Sequence, residues 1–216
     1  FWSLYHDQVR EQQTSMPVFS RAPMIVREQL IFPYVTGADF MHWWSTQSGH
    51  ADTVPYGPRM PASTEQVLHP DRYVRGDAPL TVVMDTVPGV IYQDVLGEME
   101  TNVLVAARTG STRPDELPAL GWGGDVYRVI ETPGGPALIW YLVFDDAGAA
   151  ERFQRGAGAR LTTDTVPSTR AVEDTMTIGG HPAVRYVVAP PGWTGWGALP
   201  AAHLAPQSGN SASRAP

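Results

Sequence analysis

The sequence predicts an α+β fold: a mainly helical first half, then a small antiparallel sheet of hairpins with one short helix. Two observations carry this. Apolar residues recur at helical spacing up to about Leu120, and from Gly121 onward short β-rich runs flank glycine- and proline-rich turns. A third bounds it: 20 Pro and 21 Gly in 216 residues mean short elements joined by shaped loops. Four regions follow, namely a 1–22 N-terminal extension, a 23–120 helical region, a 121–190 α+β hairpin region and a 191–216 Trp/Gly/Pro-rich loop with a polar tail.

Each element has a local reason. Phe1-Trp2-Ser3-Leu4-Tyr5 reads as the closing turn of a helix, or as an aromatic anchor at a membrane surface. Pro23 suits the first position of a helix carrying Met24, Ile25, Leu30 and Ile31, which Pro33 stops. From Thr36 to Gln47, Phe40, Trp43 and Trp44 mark a second helix. Ser63-Thr64-Glu65-Gln66 is a capping-box pattern opening a short turn to His69. Ile91, Val95, Met99 and Val103 fall four apart and predict a helix over Ile91 to Arg108, with Gly110 just past its end. Gly97 in its interior costs about 1 kcal/mol relative to Ala and implies close packing there.

In the second half, Val126 to Glu131 and Ala137 to Phe144 flank Thr132-Pro133-Gly134-Gly135-Pro136 as a hairpin. Asp145 or Asp146 caps a short helix to Arg155. Thr175 to Ile178 and Ala183 to Val188 bracket Gly179-Gly180-His181-Pro182 as a second hairpin. The run PQSGNSASRAP from Pro206 has no apolar residue larger than Ala and reads as a tail ordered only by a partner. Asp-Thr-Val-Pro starts at Asp52, Asp85 and Asp164, at unequal intervals, so it marks turns rather than a repeat architecture.

Composition excludes whole chemistries. No Cys removes disulfides, thiolate nucleophiles and Cys-ligated metals, and the 15 basic residues are all Arg, so Schiff-base chemistry and a P-loop lysine are absent. A formal charge of −7 argues against nucleic acid as a partner. No signal-like segment and no long apolar run is present, so direct membrane contact is expected only near residue 1. A chain opening on Phe1 also points to a segment upstream of it.

The remaining polar groups form no complete catalytic set. Glu65 and His69 stand four apart, the spacing by which two side chains share a metal, but Pro70 follows and no third ligand is placed. A helix-capping Glu65 and a loop-bound His69 explain the pair, which is retained as a weak polar site. The acid pairs Asp145/Asp146 and Glu98/Glu100 read as caps and solvated faces. Gly121-Trp122-Gly123-Gly124-Asp125 leads into a strand and lacks the Lys of a phosphate cradle, so Trp122 reads as a plug in a tight-approach loop. No catalytic, metal or cofactor-binding residue is assigned. Candidate interaction residues are Trp193 and Trp196 in a glycine-aromatic loop, with Trp2, Trp43 and Trp44. Trp43, Trp44, Trp193 and Trp196 also allow a carbohydrate-binding reading, while a core role is the expectation for the Trp43-Trp44 pair.

Four segments carry a resemblance. They are Leu30-Ile31-Phe32-Pro33-Tyr34-Val35-Thr36-Gly37-Ala38-Asp39-Phe40, Pro61-Ala62-Ser63-Thr64-Glu65-Gln66-Val67-Leu68-His69-Pro70-Asp71-Arg72-Tyr73, Leu96-Gly97-Glu98, and Gly121-Trp122-Gly123-Gly124-Asp125-Val126-Tyr127. Together with Tyr141 to Phe153 they resemble the C-terminal region of bacterial exported zinc-metallopeptidase-like proteins and lipoproteins of the gluzincin type, over about Pro23 to Val188. That family's His-Glu-x-x-His helix and later glutamate helix have no counterpart in this chain. The resemblance implies a periplasmic or exported location and a noncatalytic structural or binding subunit with a protein partner, such as a respiratory or photosynthetic membrane complex. The alternative it leaves open is the C-terminal half of a zinc metallopeptidase whose catalytic helices precede residue 1.

Overall fold

The computed structural model describes residues 2–112, 114, 121–158 and 169–206. Its helices α1 (Trp2–Thr14), α2 (Pro17–Arg21), α3 (Met24–Ile31), α4 (Thr36–Thr46), α5 (Thr64–Leu68) and α6 (Pro70–Arg75) come first. Then follow β1 (Val82–Met84), β2 (Val90–Asp94), α7 (Gly97–Thr109), β3 (Trp122–Ile130), β4 (Ala137–Phe144), α8 (Ala147–Phe153), β5 (Arg170–Ile178), β6 (His181–Ala189) and β7 (Ala202–Leu204). The class is α+β, with helices mainly in the first half and antiparallel strands after them.

The strands form one five-stranded antiparallel sheet in the order β2-β3-β4-β6-β5 and a two-stranded ribbon of β1 with β7. Strand β4 shows why the sheet is the core. Its Ile139, Tyr141 and Val143 face the ribbon and the Trp193–Trp196 loop, while Trp140, Leu142 and Phe144 face α7 and α8. Both faces are therefore covered, and a nearly continuous apolar run replaces alternation. Both expected hairpins form: β3–β4 across Glu131–Pro136, and β5–β6 across the two glycines 179 and 180. Helix α8 is capped by Asp146, whose side chain accepts from the Ala149 amide at 2.8 Å.

Three expectations are corrected. Residues 91–94 are not helical: Val90 to Asp94 pair with β3, and the helix begins only at Gly97, whose φ is +81°. Gly97 is therefore a start, not an interior residue, and a Cβ there would stand 2.9 Å from Thr64 Oγ1. The stretch from Trp122 to Asp125 is strand rather than loop. Close approach was the right physical reason for its glycines, since a Cβ on Gly124 would lie against the Leu80 backbone oxygen. Thirdly, Trp2 to Tyr5 lie in a helix that runs on to Thr14, so they are not its closing turn.

The 1–22 region is tied to the body. Tyr5 donates its hydroxyl to the Tyr34 carbonyl at 3.0 Å, and Arg10 of α1 stands 3.6 Å from Glu28 of α3. Most of the polar tail, residues 207–216, lies outside the described residues. Among the described residues no helix is long and apolar enough to cross a membrane.

Candidate functional site

Polar side chains converge where α5 and α6 meet the start of the sheet. Ser63 caps α5 by accepting from the Gln66 amide at 3.3 Å. Gln66 reaches back to accept from the Ala62 amide at 2.7 Å, one residue earlier than the expected capping box, and its Nε2 donates to the Asp77 carbonyl at 2.5 Å. These bonds fasten α5 to the chain leaving α6 and turn Glu65 inward. Pro70 restarts the helix after His69, and Gly76, at φ +68°, ends it in the left-handed conformation.

Arg72 is the hub. Its guanidinium meets three carboxylates from separate segments: Glu65 Oε1 at 3.1 Å, Asp77 Oδ2 at 2.9 Å and Asp145 Oδ2 at 2.6 Å. Beside it, His69 Nε2 stands 3.0 Å from Glu98 Oε2, and the Glu98 side chain is fully buried. Burial pushes the Glu65 carboxyl up to about 8; Arg72 pulls against this, and Glu98, Asp145 and Asp77 add to it. Arg72 stays charged: burial works against it, but the Asp145 hydrogen bond and the surrounding acids raise its pKa. Near neutral pH Glu65 thus keeps its proton beside the charged guanidinium.

An open cleft of about 620 Å³ runs past this set, lined by Glu65, Arg75, Asp77, Leu80, Asp145 and His181 among others. The arrangement can hold a positive group and supply hydrogen bonds. Among the described residues lining the cleft there is no Ser, Thr or Tyr. Among the described residues no group of three or more His, Asp or Glu side chains is placed to hold a metal ion.

The second buried polar centre is structural. Asp125 accepts from the amides of Leu96 and Gly97 at 2.9 Å each, from Trp122 Nε1 at 3.1 Å and from Trp140 Nε1 at 2.9 Å. Burial raises its pKa while these four donors pull it down. It pins the start of α7 to β3 and complements the helix N-terminus.

The sequence-derived residues are dispersed. Glu65 and His69 do share one neighbourhood, but each has a different partner, Arg72 and Glu98. Trp44 is 2% exposed, donates to the Thr53 carbonyl at 3.1 Å and stacks on His50 at 3.8 Å, so it presents no docking face. Trp43 is half-buried against Phe40 and Tyr73. Trp193 and Trp196 pack edge to face at 5.8 Å onto the ribbon side of the sheet, with the Arg170 guanidinium 4.6 Å above the Trp196 ring. Trp2 belongs to α1, and its side chain lies outside the described residues. Sequence reasoning missed Arg72, Asp77 and the burial of Glu98. Only the arginine's position three residues after His69 hinted at the first, since Asp145 lies 73 residues away from it.

A family model described as "Domain of unknown function (DUF8575)" matches residues 85–193, just over half of the chain. The match takes in the five-stranded sheet with α7 and α8, and leaves α1 to α6 outside it. No curated protein and no solved structure matches.

Proposed function

Because the chain belongs to the family described as Domain of unknown function (DUF8575), we propose its role from its own surfaces: a noncatalytic structural or binding subunit, held by a protein partner through its N-terminal helices. We place it on a zinc-metallopeptidase-like scaffold in an extracytoplasmic setting, as an accessory subunit of a membrane protein complex.

One observation carries this reading. Helix α3 buries Glu28 along with Ile31 and leaves Val26 and Leu30, one turn apart on one face, exposed. The same region exposes Met16, Tyr34 and, at 87%, Val18 of α2. Exposed apolar side chains gathered on consecutive helices support an interaction site. Covering Val18, Val26 and Leu30 would contribute at most about 1.5–3 kcal/mol each, less for the partly buried Val26 and Leu30, against the cost of association.

The test is partner capture from native membranes with the tagged full chain and with a Val18→Glu/Leu30→Glu variant. The reading expects a defined stoichiometric partner with the native chain and its loss with the variant, whose circular dichroism stays native. A monomeric chain that retains nothing overturns it.

A second reading is favoured by where this face lies, on the first helices of the chain. In it the covering surface is the catalytic half of a zinc metallopeptidase joined ahead of α1. The reading frame upstream of Phe1 separates the two: a His-Glu-x-x-His segment there supports the peptidase, and a bare signal or anchor segment removes it.

A further inference from the structure

The cleft beside Arg72 continues past His181 into a second cavity of about 410 Å³, lined by Pro79, Leu80, Thr81, His181, Leu204, Ala205 and Pro206. Leu80 and His181 line both. Asp77 and Asp145 line the first compartment, and the second is lined by the apolar Pro79, Leu80, Leu204, Ala205 and Pro206 together with Thr81 and His181. We propose that the two form a groove for an extended peptide segment, seating a Lys or Arg side chain between Asp77 and Asp145 and the following apolar side chain beyond His181.

Charge selects the occupant. Asp77 and Asp145 each give Oδ2 to Arg72, and among the described residues no hydrogen bond reaches Oδ1 of either. Both side chains remain more than a third exposed at the cleft. Two aspartates share the Arg72 guanidinium, and Arg75 is paired with Asp71 at 2.8 Å. Glu65 is a second, independent pointer. It lines the cleft at 2% exposure, and its Oε1 makes no hydrogen bond although Arg72 Nη1 is 3.1 Å away, so a buried carboxyl faces this space with unmet capacity. A cation on a long alkyl stem suits such a cleft because the stem packs on Leu80 while the head reaches the carboxylates. The apolar neighbour distinguishes a peptide from a free amine.

This groove shares no residue with the α2–α3 face, so it stands or falls separately from the partner reading. The experiment titrates the isotopically labelled full chain with acetyl-Gly-Lys-Leu-Gly-amide and follows backbone amide shifts by NMR. Matched probes replace Lys by Gln, or Leu by Ser, and spermidine serves as the free amine. The expected result is saturable shifts at Ala78, Leu80 and Gly123, weakened about tenfold by the Gln probe and about tenfold by Asp145→Asn, in line with loss of one charge-assisted contact. Asp77→Asn, which keeps the Asp145 tie, gives the same loss should Asp145→Asn unfold the chain. Absence of saturable shifts at these amides at millimolar peptide overturns the proposal, as does equal binding of the Lys and Gln probes. Spermidine or the Ser probe binding as tightly as the Lys-Leu peptide overturns the peptide assignment. Val18→Glu leaves the peptide titration unchanged, so failure here does not touch the partner interface, nor the reverse.

Discussion

Asp125 ties distant parts of the fold together, because its two oxygens serve four N–H donors from three segments. Asp125→Ala leaves two indole and two amide donors buried and unpaired, so urea unfolding should show a loss of about 3–5 kcal/mol, with Asp125→Asn intermediate. Glu65 gives a different signature. Its folded pKa is about 8 against an ordinary 4.5, so the native state keeps a proton that the unfolded chain releases. Its contribution is full below the unfolded value and is lost as pH rises through the folded one, a decline on the order of a few kcal/mol at most. Glu65→Gln keeps the neutral form and should flatten that decline, so it gains on the native chain between about pH 5 and about pH 8.5 in urea titrations. Neither role was legible from residue types alone. An aspartate after two glycines reads as a turn residue, and only the burial of its indole and amide neighbours makes it a hub.

At the scale of elements, legibility followed sequence separation. The β5–β6 hairpin could be read because its signals are local: β-rich runs around Gly179-Gly180, whose φ values of +58° and +87° suit a two-residue turn. The two glycines differ in what surrounds them. A Cβ on Gly180 meets open space, so Gly180→Ala should cost about 1–2 kcal/mol of left-handed strain. A Cβ on Gly179 would stand 2.5 Å from Leu204 Cδ1, so Gly179→Ala should cost more and also displace β7. Thermal denaturation of the two variants checks this order. The start of α7 could not be read, since a periodicity of four ran through residues that pair with β3 instead. What halts the helix at Gly97 is Asp125, 28 residues on. Helix propensity yielded there to a sheet edge and a distant carboxylate.

For the whole molecule, the class and the order of helices before hairpins were legible because they depend on periodicity and turns. Which helix face would be covered was not. In α3 the hydrophobic pattern places Ile31 inside as expected, yet Glu28 is buried and Leu30 exposed. An acid inside and a leucine outside conflict with burial preferences for an isolated body and agree with one that completes its packing on another surface. Trp44, by contrast, takes the core role expected for it within the Trp43-Trp44 pair. Strand β4 is covered on both faces, and the proposed partner would cover the N-terminal helices. The most direct test places a photoreactive side chain at Val18, Val26 or Leu30 and, as a control, at Ile91 on the far sheet edge, then illuminates native membranes. The account predicts one discrete cross-linked species of the same partner from all three helical positions and none from Ile91. No product from the helical positions, or a product equally strong from Ile91, would contradict it.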